Sequence, residues 1–279
     1  MNNLFKQYPE IRSSFDVKAA SSHYGFLAID QETVQFCILD PSKKHFSAIN
    51  CQKLPSSEED SFIPSIIAFI EQLELQKGVF KKLIIGLNTD FYSPVPKPFH
   101  LDNNITGALS YIHDIPDGYT TYSQSVSDLD LNINYAIDQQ LITALNQSLP
   151  TGHLTFLNSG WITHHKVHHQ NEASFLGINV TTNTVEIAAF KDGTLQLLNH
   201  FPCQTAEDIA YYTLYTIQQL QLNPADILVE VSGNTDNETL TLLKGYIQSI
   251  NTAKINSGFS VDAENHLPFI KLFQLYLCV

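Results

Sequence analysis

The sequence predicts an α/β protein of two lobes in which the same elements follow each other twice. The first observation is a repeated strand motif, since Phe26-Leu27-Ala28-Ile29-Asp30 returns as Phe175-Leu176-Gly177-Ile178-Asn179. The second is a repeated order, because each copy precedes an apolar hairpin, an acidic pair that opens a helix, and a buried strand. The third is spacing, since Asp30 precedes Asp60 by 30 positions and Asn179 precedes Asp208 by 29. Self-similarity over half the chain predicts an internal duplication.

The first lobe is predicted over residues 1–165 and begins with a three-stranded meander. Apolar runs and alternation predict its strands at Tyr24–Asp30, Val34–Leu39 and His45–Asn50. The serines and carboxylates of residues 55–60 predict the start of a helix, with one apolar face formed by isoleucines at helical spacing. The apolar strand Leu83–Leu87 follows and suits the interior of a sheet.

A proline-rich segment, Tyr92–Pro98, interrupts the first lobe. Each proline fixes the backbone and removes a hydrogen-bond donor, so the segment is predicted to be an exposed crossing rather than a helix or a central strand. The crossing leads into an inserted subdomain with a short helix at residues 104–111 and an amphipathic helix that ends at Pro150. Residues 154–157 and 161–167 are predicted strands near the junction of the lobes.

The second lobe is predicted over residues 166–279 and repeats the meander. Its strands are predicted at Ser174–Val180, Thr184–Phe190 and Leu195–Phe201. Thr205 is predicted to cap a helix with Glu207 and Asp208 in its first turn. The remaining elements are a strand at 227–231, a helix at 238–250 and an apolar, helical C-terminal segment at 268–279.

Composition restricts the partners and the location of the chain. The 279 residues carry a formal net charge of −13, which disfavours nucleic acid and anionic lipid as partners. No apolar stretch approaches the roughly 20 residues that a membrane-spanning helix needs, so direct membrane insertion is not expected. The polar segment Met1–Asp16 lacks the apolar core of a signal peptide, which predicts a cytoplasmic location.

The order of elements resembles the duplicated ribonuclease-H-like architecture of actin, sugar kinases and the heat-shock chaperone ATPases. More closely, it is similar to an uncharacterised bacterial family with an actin-like ATPase fold, itself distantly similar to pilus-assembly and type II secretion platform proteins. The motifs that carry this resemblance are Phe26–Asp30, Val95-Pro96, Thr205–Tyr212, Val231-Ser232-Gly233 and Leu275–Cys278. The resemblance implies two lobes, each with a mixed five-stranded sheet and flanking helices.

In active members of this superfamily, ATP lies between the lobes, and each first hairpin supplies an Asp and a glycine-rich turn for phosphate. Here the corresponding turns, Asp30–Thr33 and 179–183, contain no glycine, and Glu32 places a negative charge where phosphate would lie. Asn179 stands where the second Asp is expected and cannot act as a base. Hydrolysis is therefore expected to be lost, with no catalytic residue and no cofactor, and ATP with magnesium is a disfavoured alternative. The residues of this degenerate nucleotide cleft are Asp30, Asn179, Ser232, Gly233 and Asn234.

Four histidines and a lysine lie close together at His164-His165-Lys166-Val167-His168-His169. In an extended chain, His164 and His168 share one face and His165 and His169 share the other, so either pair offers two metal ligands. No cysteine or acidic ligand accompanies them at short spacing, apart from the more distant Glu172. The favoured interpretation is an exposed polar connector without a metal, and metal binding is the alternative.

The sequence thus predicts a non-catalytic, cytoplasmic binding or scaffold module for a protein partner, and the resemblance makes membrane-associated machinery one candidate. A groove between the first-lobe sheet and the proline-rich crossing is the predicted place for a partner chain. The alternative is a nucleotide-binding protein with weak or residual ATPase activity. A third class, a two-metal nuclease, requires several carboxylates that converge around Asp30.

Overall fold

Residues 17–255, 258–263 and 265–279 are described by the structure, a computed structural model. The segment Met1–Asp16, where no signal peptide is expected, lies outside the described residues. The described chain forms two compact units. The first unit comprises residues 17–161, 258–263 and Lys271–Val279, and the second comprises Ile162–Ile255 and Asn265–Ile270. The predicted lobe boundary at residues 165 and 166 stays a prediction.

The main sheet of the first unit has six strands in the order β14-β3-β2-β1-β4-β8. These strands are β1 (Tyr24–Ile29), β2 (Thr33–Asp40), β3 (His45–Lys53), β4 (Lys82–Leu87), β8 (Gly152–Phe156) and β14 (Ser260–Val261). The strands β1, β2 and β3 form the predicted antiparallel meander, while β4 and β8 run parallel to β1. The sheet has one strand more than predicted because β14 adds parallel to β3.

The second unit contains a five-stranded sheet in the order β11-β10-β9-β12-β13. Its strands are β9 (Ser174–Val180), β10 (Thr184–Lys191), β11 (Thr194–Pro202), β12 (Leu228–Gly233) and β13 (Ser249–Thr252). Three antiparallel strands are again followed by two parallel ones, β12 and β13. The β10–β11 turn uses Asp192 and Gly193, both with positive φ, which suits the twist of a two-residue hairpin.

The inserted part of the first unit forms a separate antiparallel sheet in the order β5-β7-β6. Its strands are β5 (Tyr92–Pro96), β6 (Tyr119–Val126) and β7 (Leu131–Asp138). The proline-rich segment is therefore a strand, and it lies at the edge of the sheet. No further strand pairs with its outer side, so the N–H groups that its prolines lack are not needed for hydrogen bonds there.

Seven α-helices accompany the sheets in the described part of the chain. They are α1 (Phe62–Gln72), α2 (Ile105–Ser110), α3 (Gln139–Ser148), α4 (Leu157–His168), α5 (Ala206–Gln219), α6 (Asn237–Lys244) and α7 (Ile270–Gln274). Short 3-10 helices occur at Val17–Ser22, Leu75–Lys77, Lys97–Phe99, Asp102–Asn104, Ser127–Leu129, Leu267–Phe269 and Leu275–Cys278. Within the described residues, no helix combines the length and the hydrophobicity that a membrane-spanning segment requires.

Helix α5 begins as the sequence predicts. The Thr205 hydroxyl accepts a hydrogen bond from Asp208 N at 3.2 Å, and the Asp208 carboxylate accepts one from Thr205 N at 3.0 Å. This reciprocal capping box satisfies two backbone donors of the first turn.

Helix α1 begins later than predicted. It starts at Phe62 after Ser61, whose side chain makes no capping hydrogen bond, and its first turn holds no acidic residue. The reason is local, because Ser56 and Glu59 bond each other in a separate turn, with Ser56 N donating to Glu59 Oε1 at 3.2 Å. These polar residues stabilise the approach to the helix rather than its first turn.

Two other sequence predictions are wrong. Residues 161–167 are not a strand but the greater part of α4, because the helix buries Trp161, Ile162 and His165 together. The helix predicted at residues 238–250 ends at Lys244 before Gly245, and Ile250 instead lies in β13, opposite Val229. Short apolar runs do not distinguish a helix from a strand.

The core of the second unit lies between its sheet and helices α5 and α6. Buried aliphatic residues from β9, β10 and β12 pack with Ile209, Ile217 and Leu243 of the helices. In the first unit the chain end completes the core: Phe273 of α7 lies 4.8 Å from Phe46 of β3, measured between ring centroids.

Candidate functional site

The turn between β1 and β2 is bonded by its own acidic side chain. The Asp30 carboxylate accepts hydrogen bonds from Glu32 N at 2.8 Å, from Thr33 N at 2.6 Å and from Thr33 Oγ1 at 3.0 Å. These two backbone N–H groups are the donors that a phosphate-binding turn would offer to an anion. Here a carboxylate of the chain already occupies them.

The pKa of Asp30 is also unusual for an aspartate. Burial raises the pKa of Asp30 to about 6, although the N–H groups of Glu32 and Thr33 and the positive charge of Lys271 act in the opposite direction. The carboxyl group therefore changes its charge near neutral pH rather than near its ordinary value of 3.8.

A pocket of about 600 Å³ opens beside this turn, within the first unit. It lies where β1 and β4 end, next to the start of α1 and the three-stranded sheet. Four carboxylates line it, from Asp30, Glu58, Asp90 and Asp138, and no lysine or arginine lies among the described lining residues. Burial, together with the charges of Asp138 and Asp90, raises the pKa of Tyr119 on the same wall. A site with this charge repels phosphate.

The pocket carboxylates do not form a metal site in the described parts of the chain. A shared ion needs three or more His, Cys, Asp or Glu side chains close together. Among the described residues such a group occurs at a histidine cluster elsewhere, and none occurs at this pocket. A two-metal nuclease needs several carboxylates that converge on the same ions.

The other four residues of the predicted cleft come together in the second unit. Parallel pairing of β9 with β12 places Asn179 opposite Ser232 and Val180 opposite Gly233. Asn179 Nδ2 donates to Glu186 Oε2 at 2.9 Å, and Ser232 Oγ donates to Asn179 Oδ1 at 3.0 Å. All of these side chains are buried, so Asn179 and Ser232 serve an internal network. Asp30 belongs to the first unit.

Gly233 occupies a position that no other residue fits well. Its φ is +83°, and a Cβ there would meet the backbone oxygen and nitrogen of Val180. Asn234 N donates to the same Val180 oxygen at 2.7 Å. The glycine thus allows β12 to turn sharply against the end of β9.

Backbone hydrogen bonds revise the pairing of the two repeated motifs. Asp30 N donates to Thr33 O at 3.0 Å, and in the second unit Thr181 N donates to Thr184 O at 2.9 Å. Asp30 therefore corresponds to Thr181, and the predicted pairing of Asp30 with Asn179 is wrong by two positions. A shift of two residues keeps every side chain on the same face of a strand, so hydrophobic alternation does not detect it.

The histidine segment is helical as far as His168, and its first two histidines are buried, so the predicted exposed connector is wrong for them, whereas Val167 and His168 are exposed. His164 and His165 of α4 are 4% and 2% exposed. They lie with His169 and with Glu230 of β12, each offering one ligand atom, and these atoms are all within 4.8 Å of one another. Burial, followed by the charges of the neighbouring histidines, lowers the pKa of His165 well below its ordinary value.

The acidic member of this cluster was not found from the sequence. Glu230 lies opposite Gly177 in the β9–β12 ladder, far along the chain from the histidines. The signal was its position inside the apolar run Ile227-Leu228-Val229-Glu230-Val231, where a charged residue is unusual in a buried strand.

Comparison with solved structures shows the fold. A protein with an actin-like ATPase fold and unknown function from Bacteroides thetaiotaomicron VPI-5482 matches with a TM-score of 0.82 at 16% identity, over 96% of this chain and 100% of that one. A PilM–PilN type IV pilus biogenesis complex matches at 0.65 and 10% identity, over 91% and 98%. The cytoplasmic domain of EpsL, an inner membrane component of the type II secretion system of Vibrio cholerae, matches at 0.46 and 9%, over 92% and 97%.

The two-lobed, actin-like ATPase fold predicted from the sequence is thereby confirmed. A search of curated proteins finds no match. The profile of a family described as "Protein of unknown function (DUF3822)" matches residues 12–250.

Proposed function

The chain belongs to this family, DUF3822, and on that premise we propose that it is a non-catalytic protein with an actin-like fold that binds a protein partner as a cytoplasmic scaffold. The proposal combines a fold that often binds ATP with a first turn that is chemically unsuited to phosphate.

The observation that carries the proposal is the set of hydrogen bonds around Asp30. Its carboxylate holds the backbone donors of Glu32 and Thr33 and the Thr33 hydroxyl. A phosphate would have to displace this carboxylate and then lie beside the acidic groups of Glu58, Asp90 and Asp138. Each of these negative charges opposes a triphosphate.

The same pocket suits a segment of a partner chain. Its walls combine carboxylates with the aromatic rings of Phe91 and Tyr119, which pack edge to face with centroids 5.4 Å apart. A lysine or arginine beside an apolar side chain is complementary to such walls. The PilM–PilN complex is an example of a protein of similar fold in a complex with a partner.

A first experiment separates partner binding from the nucleotide alternative. The purified chain is titrated with ATP and magnesium while its thermal unfolding and binding heat are measured. A ligand that binds the folded state stabilises it and raises the melting temperature. Because the proposal holds that ATP does not bind, we expect no saturable rise. A clear saturable shift would contradict the proposal and favour a nucleotide-binding protein with residual ATPase activity.

A second experiment tests the pocket itself. A photo-crosslinking amino acid replaces Tyr119 in the pocket or, as a control, Tyr246, which is 60% exposed in the second unit. We expect a defined partner to crosslink at position 119, to be lost in Glu58→Lys with Asp90→Lys, and to remain in the control Glu71→Lys on the exposed side of α1. Equal crosslinking at both positions, or none at position 119, would reject this pocket as the partner site.

A further inference from the structure

We propose that His164, His165, His169 and Glu230 bind one divalent transition-metal ion of the zinc type, which fastens the C-terminal part of α4 to strand β12. The site lies entirely within the second unit and is independent of the proposed partner pocket.

The distances within the cluster suit a shared ion better than direct hydrogen bonds. His165 Nδ1 lies 3.8 Å from Glu230 Oε1, and His169 Nε2 lies 3.6 Å from Glu230 Oε2. Both separations exceed normal hydrogen-bond lengths. Ligand atoms around a tetrahedral zinc ion, with bonds of about 2.1 Å, lie about 3.4 Å apart. These two pairs would reach that separation with shifts of a few tenths of an ångström. Ligand atoms of the cluster that lie up to 4.8 Å apart would have to approach each other by about 1.4 Å to complete the coordination.

The fold builds this site with a glycine. Gly177 of β9 lies opposite Glu230 of β12, and a Cβ at Gly177 would collide with the His165 imidazole ring. His169 stacks on Phe175 of the same strand, with centroids 3.9 Å apart and planes 11° apart. The missing side chain thus creates the space for one imidazole, and the phenyl ring orients the other.

Glu230 explains why a cation is needed. It is 9% exposed, and among the described residues neither its Oε1 nor His169 Nε2 has a hydrogen-bond partner. A buried carboxylate oxygen that accepts no hydrogen bond is costly. A divalent ion would supply the missing positive charge and use both of these atoms.

The ligand set indicates the class of metal. Imidazole nitrogens with one carboxylate suit zinc and its first-row neighbours, whereas calcium and magnesium require oxygen ligands. Four protein ligands in a buried position are typical of a closed, structural site rather than a catalytic one with an open position.

The test uses the full chain, produced without a polyhistidine tag and stripped with a chelator. Zinc is titrated by calorimetry, and bound metal is counted by elemental analysis after dialysis. We expect one zinc ion per chain and a zinc-dependent rise of the melting temperature. Cobalt should give the visible absorption of a tetrahedral site.

Two ligand variants and one control make the test specific. Glu230→Gln keeps the size of the side chain, and His169→Ala changes a ring at the edge of the cluster, so one variant can replace the other if either fails to fold. Each should weaken zinc binding at least tenfold and abolish the cobalt spectrum. The control His153→Ala removes an exposed imidazole of β8 in the first unit, outside the cluster, and should bind zinc like the parent. Absence of stoichiometric zinc, or equal loss in His153→Ala, would overturn the proposal.

Discussion

The hairpin turns after β1 and β9 have matching backbone hydrogen bonds but different side chains. In the first unit, the carboxylate of Asp30 accepts three hydrogen bonds from Glu32 and Thr33. In the second unit, the Thr181 hydroxyl accepts one from Thr184 N at 3.1 Å and lies 2.9 Å from the Thr184 hydroxyl. The comparison teaches that the turn keeps its backbone geometry with or without a charged residue. Only the turn with Asp30 is expected to change its stability with pH.

The strand ends beside these turns differ as well and give the largest expected effect. Val180 is paired with Gly233 in the second unit, while Ile29 is paired with Leu87 in the first. We expect Gly233→Ala to lower the free energy of unfolding by about 4 kcal/mol, because it combines a strained positive φ with a backbone collision.

A matched glycine separates those two causes. Gly118 has a φ of +85° but no atom within 4 Å of a Cβ, so Gly118→Ala should cost only about 1 kcal/mol. Urea unfolding of both variants measures the difference. Equal costs would show that conformational strain alone, rather than contact with Val180, requires the glycine.

The second prediction concerns pH and uses the charged turn. Because burial raises the pKa of Asp30 from 3.8 to about 6, the folded state keeps the proton that the unfolded chain loses. The stabilising contribution is complete below the unfolded pKa and is lost as the pH rises through about 6. Its size is at most about 3 kcal/mol.

Asp30→Asn tests this contribution while keeping an oxygen acceptor for the turn. The difference in unfolding free energy between parent and variant should change between about pH 4 and pH 7, to the disadvantage of the parent at the higher pH. Thr181→Val, in the corresponding turn, should cost the same at every pH in this range. A pH-independent difference for Asp30→Asn would show that Asp30 is ionised throughout.

The smallest expected loss of stability concerns the starts of the two corresponding helices, α5 and α1. Thr205→Ala removes the capping box of α5 and should cost about 1 kcal/mol. Ser61→Ala, at the start of α1, should change the stability by less than about 0.5 kcal/mol, since its hydroxyl makes no capping bond. Thermal unfolding of both variants checks this order, and a larger loss in Ser61→Ala would contradict it.

The sequence predicted both meanders and the capped start of α5, since alternation, turn residues and caps are local signals. It did not reveal the two-residue shift between the motifs, because the shift preserves the alternation. Nor did it reveal the contact of Glu230 with the histidines, which depends on how β12 lies beside β9 and α4. Local chemistry predicts elements, while distant pairs require the assembled fold.

The return of the chain to the first unit has a consequence for biosynthesis. Leu272, Phe273 and Leu275 are at most 2% exposed, and Leu275 packs where a side chain at Gly86 would lie. The sheet that forms from residues 24–87 and 152–156 therefore lacks part of its apolar packing until a segment translated more than a hundred codons later has been made. During synthesis the second unit can fold first. A nascent chain halted before Lys271 would expose an apolar surface of the first unit to chaperones.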